Sequence, residues 1–151
     1  MHSLGYTAPG HSNRVFSVKF HPDDQNTLIS GGWDNTIQIY DQREEGPVAT
    51  IFGPVLSGDS LDVHGDTMIT GSFRGKDALQ VWSLGERELV QSLEWEPGSS
   101  YSENAFLFTA QLCKDREQIL VAAGGKGDEL RLFAPGSNDK WETVAKSSHF
   151  E

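Results

Sequence analysis

Two serines carry the residue types that acyl-transfer chemistry employs. Ser60 lies in the tetrapeptide GDSL at 58–61, and Ser30 ends a short apolar run that follows His11. A serine becomes a nucleophile only when a base takes its proton and an acid orients that base. His11 with Ser30 is one such pairing, whereas nothing in the sequence around Ser60 supplies a base. Two glycine-rich strings, GSFRGKD at 71–77 and GGKGDE at 124–129, raise a phosphate chemistry, because glycines let backbone N–H groups converge on an anion. Neither fits the requirement. The first is one residue short and sets Asp77 where a hydroxyl would hold magnesium, and no helical pattern follows the second. His2, His11, His21, His64 and His149 show no metal-ligand spacing, and Asp23 and Asp24 lack the alternating oxygens and closing Glu of a calcium loop. With Cys113 as the one cysteine, neither an internal disulfide nor a cysteine-based metal centre is expected. No cofactor and no metal are therefore expected.

The elements that must position these residues are short and β-like. Sixteen glycines against six prolines, with Val, Ile, Thr and aromatics in short runs, favour strands joined by tight turns over helices. A length of 151 residues and 36% hydrophobic content suit one globular domain. Three similar units follow one another. TIQIYD, ALQVWS and ELRLFA share an aliphatic–polar–aliphatic–aromatic order that ends on Tyr40, Trp82 and Phe133. These aromatics recur near the roughly 40–45-residue period of four-stranded repeats. The second interval is lengthened by EWEPGSSYSEN at 94–104, which reads as a loop. TLISGG, TMITGS and ILVAAGG precede them as second strands; VFSVKF, SLDVHG and FLFTAQL read as first strands, and PVATIF, ELVQSLEW and WETVAK as fourth. Period-2 alternation sets Ile37 and Ile39 on one face of their strand, with Gln38 and Tyr40 on the other.

Residues 10–43, GHSNRVFSVKFHPDDQNTLISGGWDNTIQIYDQR, resemble a WD40 repeat. Gly10 and His11 precede the first strand, Asp34 sits in the turn before the third, and Tyr40-Asp41 stands where that family has Trp-Asp. The resemblance implies an all-β WD40 β-propeller of about three four-stranded antiparallel blades, at 10–52, 55–95 and 104–147, forming a partial propeller. It also implies a structural polar set of His11, Ser30 and Asp34, with Tyr40 in the tryptophan position. The second unit keeps Thr70 and Trp82 but has Arg74 where the acid would lie, and the third has Ala123 and Phe133. In function, the resemblance implies a non-catalytic interaction or scaffold module that binds a protein or peptide through its loop face. Asn13, Arg14, Trp33, Phe73 and Arg74 would line that face, and Trp and Arg are the types most enriched at binding hot spots. Two alternatives stand beside it. GDSL resembles the nucleophile block of GDSL-type hydrolases, which would make Ser60 the nucleophile, although the late Asp-x-x-His of those enzymes is missing around His149. The other is a purely architectural subunit.

Twelve Lys and Arg against 22 Asp and Glu leave a formal charge of −10, which opposes nucleic acid and anionic membrane as partners. Residues 1–10 lack an apolar stretch and a basic lead-in, so neither a signal peptide nor an anchor is expected there, and a cytoplasmic or otherwise intracellular location fits. Three blades leave two unmatched faces, expected to display Val18, Ile29, Ile37, Ile69, Val81 and Leu132. Such faces point to a piece of a larger propeller or to self-association.

Overall fold

A computed structural model describes residues 9–95, 105–114, 121–124, 129–138 and 140–148. These residues form twelve strands in three antiparallel sheets, each ordered as the chain runs. The first sheet comprises β1 (Val15–Phe20), β2 (Thr27–Gly32), β3 (Thr36–Asp41) and β4 (Pro47–Phe52). The second comprises β5 (Leu61–His64), β6 (Thr67–Gly71), β7 (Leu79–Ser83) and β8 (Glu88–Leu93). The third comprises β9 (Thr109–Leu112), β10 (Val121–Gly124), β11 (Glu129–Pro135) and β12 (Trp141–Ser148). Tight turns make this possible: the connection from β2 to β3 ends on Asn35 at φ 64°, a left-handed position that Asn tolerates well. The stretch at 96–104 and residues 125–128 of the GGKGDE string lie outside the described residues.

Each third strand carries a register shift at the same step against the fourth, at Ile39/Tyr40, Val81/Trp82 and Leu132/Phe133. A bulge there bends the outer strand and increases the twist of each blade. The three units are thus repeats in backbone geometry as well as in sequence pattern.

The sheets stack face to face, and the two interfaces between them are the core. In the first, Ile29, Ile37, Ile39 and Ile51 meet Leu61, Val63, Met68 and Trp82, with Leu56 of the connecting loop. In the second, Ile69, Leu79 and Val81 meet Leu107, Ala110, Leu112 and Phe133, closed by Trp95 and Trp141. The middle sheet therefore divides its strands by alternation, Met68 and Trp82 to one side, Ile69 and Val81 to the other. This corrects the expected lining of the open faces. Ile29, Ile37, Ile69 and Val81 are at most 2% exposed and lie between blades, while Val18 is 52% exposed. Phe20 and Phe52, exposed by 71% and 72%, are the most exposed large apolar groups of the first blade. An alternating pattern names two faces without saying which one meets a neighbour.

At the inner edge, β5 approaches β1 on one side and β9 on the other. Asp59, just before β5, accepts hydrogen bonds from Ser17 Oγ at 3.0 Å and from Gln111 Nε2 at 3.2 Å, and pairs with Lys19 Nζ at 2.9 Å. One carboxylate so ties all three blades. The buried Asp62 carboxylate adds a second tie, accepting from the backbone N–H of Leu112 at 3.0 Å and pairing with Lys114.

Candidate protein-docking face

The loop end of the first blade is organised by a polar chain. His11 Nδ1 lies 2.8 Å from Asp34 Oδ2, and His11 Nε2 lies 2.8 Å from Ser30 Oγ. Asp34 also accepts from the Ser12 N–H at 2.9 Å and from Thr36 Oγ1 at 2.8 Å. Burial alone would raise the Asp34 pKa, but the hydrogen bonds from Thr36, His11 and Ser12 outweigh it and hold the carboxyl below its ordinary value. The ionised acid in turn fixes His11 with its proton on Nδ1, leaving Nε2 to accept from Ser30. Acid, imidazole and hydroxyl thus stand in the order of a nucleophilic triad. The His11 and Asp34 side chains are only 7% and 3% exposed, and Ser30 is 5% exposed within β2, so the set is largely enclosed by the segments it links. Tyr40 stands outside this chain, its hydroxyl 3.3 Å from Gln38 Oε1. In the second blade the counterpart is a single buried bond, Trp82 Nε1–H to Thr70 Oγ1 at 3.0 Å.

Backbone hydrogen bonds knit the loops above this brace into a continuous floor. Trp33 N–H donates to Arg14 O at 3.0 Å, Leu56 N–H to Gly32 O at 2.9 Å, Phe73 N–H to Val55 O at 2.7 Å, and Leu107 N–H to Ser72 O at 3.1 Å. Glycine permits the closest approaches: a Cβ on Gly32 would stand 2.0 Å from Arg14 O, and one on Gly58 would stand 2.2 Å from Phe108 O.

Aromatic side chains rise from this floor. Trp33 packs on Phe16 with ring centroids 5.3 Å apart, and the Arg14 guanidinium lies 5.7 Å from the Trp33 ring. Asn13 caps its own turn, Oδ1 accepting from Arg14 N–H at 2.8 Å. On the neighbouring loops Phe73 packs against Phe106 at 5.1 Å and Phe108 at 5.0 Å. Arg74 is exposed, with Nη1 donating to Gly53 O at 3.3 Å. Phe16, Trp33 and Phe108 remain 38%, 41% and 48% exposed although each stacks on a neighbouring ring. The structure thus places Asn13, Arg14 and Trp33 in one cluster and Phe73 and Arg74 in another, joined by the Gly32–Leu56 and Val55–Phe73 bonds. Sequence reasoning missed Phe16, Phe106 and Phe108. The string FLFTAQL read as one strand, whereas β9 begins only at Thr109, which frees Phe106 and Phe108 to join the loop face. Their i, i+2 spacing was the available signal.

The geometry gives the hydrolase alternative no support. Ser60 is 0% exposed, its Oγ faces only Gly58 O at 3.5 Å, and its carbonyl accepts from Gly71 N–H inside the sheet. No imidazole or carboxylate bonds its hydroxyl among the described residues. Within GSFRGKD, Gly71 ends β6 and the remaining residues belong to the turn before β7.

Comparison with known proteins agrees with this architecture. Residues 3–41 match the family model described as WD40, the WD domain or G-beta repeat. Coatomer subunit beta'-1 of Arabidopsis thaliana is 32% identical over 107 residues, covering 68% of this chain and 11% of that protein. Polycomb group protein FIE1 of Oryza sativa subsp. japonica is 48% identical over 40 residues, 26% of this chain and 11% of that protein. The chain thus spans only a small part of the curated relatives it matches. Among solved structures, a chain of the mitotic checkpoint complex superposes with a TM-score of 0.67 at 20% identity, covering 91% of this chain and 40% of its own length. The computationally designed Ika8 protein gives 0.66 at 17% identity, with 93% and 38% covered. At these identities the likeness to solved structures speaks for the fold alone. The repeat match in residues 3–41, the related sequences and the three stacked four-stranded blades together make this chain a member of the WD40-repeat family, folded as part of a β-propeller.

Proposed function

We propose that this chain is a non-catalytic docking module that takes a protein or peptide partner on its loop face. The observation that carries the reading is the row of half-exposed aromatics, Phe16, Trp33 and Phe108, held on a floor of backbone hydrogen bonds. Large aromatic side chains kept partly in water, beside arginines and on a rigid support, are what an interface core consists of before its partner arrives. The names of the relatives support the reading: one is a subunit of coatomer, and one solved chain belongs to the mitotic checkpoint complex. A non-catalytic role is supported by the burial of both candidate serines, Ser30 and Ser60. The net charge of −10 favours protein over nucleic acid or anionic membrane as the partner. Among the described residues no helix is long and apolar enough to cross a membrane, and the proposed place of work is inside the cell.

The test is affinity capture from an extract of the source cells, comparing the protein with a Trp33→Ala, Phe108→Ala variant and with Val90→Ala on the outer rim as a control. Loss of captured proteins with the loop-face variant alone is expected. Equal capture by all three would move docking off this face and favour a purely architectural role.

A further inference from the structure

Resting on the docking-face reading, we infer that the loop face takes an acidic peptide segment, its carboxylates meeting Arg14 and Arg74 while its apolar side chains cover the Trp33 and Phe108 rings.

The inference comes from which charges are already committed. Among the described residues of the loop face, Asp34 is engaged within the fold by His11, Ser12 and Thr36, Asp59 by Lys19, Ser17 and Gln111, and Asp77 by Ser92 Oγ at 2.8 Å. Glu94 stands at the outer rim, in a groove shared with Trp141 and Thr143. The cations of the same face are not committed in this way. Ion pairs among the described residues engage Lys19, Arg43, Lys114 and Arg131, and leave exposed Arg14, Arg74 and Lys76 without a carboxylate.

The opposite end of the blades is predominantly acidic among the described residues: its turns and strand ends carry Asp23, Asp24, Asp41, Glu44, Glu45, Asp66 and Glu86, against Arg43, which Asp41 holds, and the exposed Arg87 and Lys140. What sets the loop face apart is that its exposed cations without an ion pair, Arg14, Arg74 and Lys76, stand beside half-exposed aromatic rings. Screening makes that local balance decisive, because charges separated by more than about 8 Å are largely screened at physiological ionic strength.

Geometry adds continuity. The backbone bonds from Trp33 to Arg14, from Leu56 to Gly32 and from Phe73 to Val55 join the loops that carry the two arginines, so one extended segment can lie across both. The Arg14 guanidinium lies 5.7 Å from the Trp33 ring and is in no ion pair among the described residues, and a guanidinium is suited to bidentate pairing with a carboxylate.

The probes are fluorescein-labelled octapeptides with two Asp residues four apart around Leu and Phe, and the same sequence with Asn for Asp. Fluorescence polarisation against the protein should show the Asp peptide binding roughly tenfold tighter, as charge-assisted bonds allow, with the advantage shrinking as salt rises. Arg14→Gln with Arg74→Gln should erase the difference without lowering Tm, since both side chains are exposed. Arg14→Glu with Arg74→Glu should turn the preference toward a Lys-substituted peptide. Equal binding of the Asp and Asn peptides, or an Asp preference that survives both arginine pairs, overturns the inference. Trp33→Ala then separates the two readings: loss of all peptide binding keeps the docking face and removes only its acidic partner. If neither peptide binds while capture still depends on Trp33 and Phe108, the acidic partner is likewise rejected and the face is retained.

Discussion

Asp34 accepts hydrogen bonds from an imidazole, a backbone N–H and a hydroxyl at once, and so holds together the lead-in, the turn and the start of the third strand of the first blade. Asp34→Ala leaves these donors unpaired in a mostly buried site, and is expected to lower stability by about 1–3 kcal/mol, read as a fall in Tm. An unchanged Tm would remove the bracing role. Ser60 poses the opposite case, a serine with an enzyme-like neighbourhood in sequence and none in space. A fluorophosphonate probe should label the protein no more than a Ser60→Ala control does. Stoichiometric labelling at Ser60 would mean that the strand opens to expose it, and would reinstate a hydrolase.

Between elements, the tie that acts across the largest distance is Asp59. Burial works to raise its pKa, but hydrogen bonds from Lys19 and Ser17, the Lys19 charge and Gln111 prevail and hold it below the ordinary carboxylate value. A carboxyl with a lower pKa folded than unfolded adds stability above the unfolded value, and that stability is lost as pH falls through the folded one. Asp34 acts in the same direction. Unfolding midpoints should therefore drop as pH is lowered below about 4, and Asp59→Asn should flatten part of that drop. The Asp59 side chain is 59% exposed, so its share is the smaller one. A variant whose pH profile coincides with that of the parent would show that the three blades are joined by their apolar interfaces alone.

For the molecule as a whole, the decisive quantity is apolar area without a neighbour. Phe20 at 71%, Phe52 at 72% and Val18 at 52% exposure stand on the first blade, away from the packed interface. Water penalises such surface by about 25 cal/mol per Å², and repeats depend on nearest-neighbour interfaces for their stability. The 151-residue chain by itself is expected to self-associate or to bind a hydrophobic dye, with Phe20→Ser and Phe52→Ser together reducing both. A dye-silent monomer of 16.6 kDa in sedimentation would mean that these faces are covered within the chain.

The sequence by itself determined the local layer of this protein: three units of four strands, their turns, the aromatic closing each third strand, and the His11, Ser30 and Asp34 pattern. Those features follow from a period of two, from turn chemistry and from residue types a few positions apart, all of which act along the chain. What only the tertiary structure decided involves residues far apart in sequence. The sharing of Asp59 among Ser17, Lys19 and Gln111 spans separations of 42, 40 and 52 residues. The sorting of Met68 and Ile69 to opposite interfaces follows from stacking a blade on both sides. The gathering of Phe73, Phe106 and Phe108 beside Arg74 depends on where β9 starts, and that is set by its pairing with β10, which alternation in the string FLFTAQL does not specify. Strand periodicity fixes which residues share a face, but the neighbour that covers the face is chosen by the packing of one sheet on another.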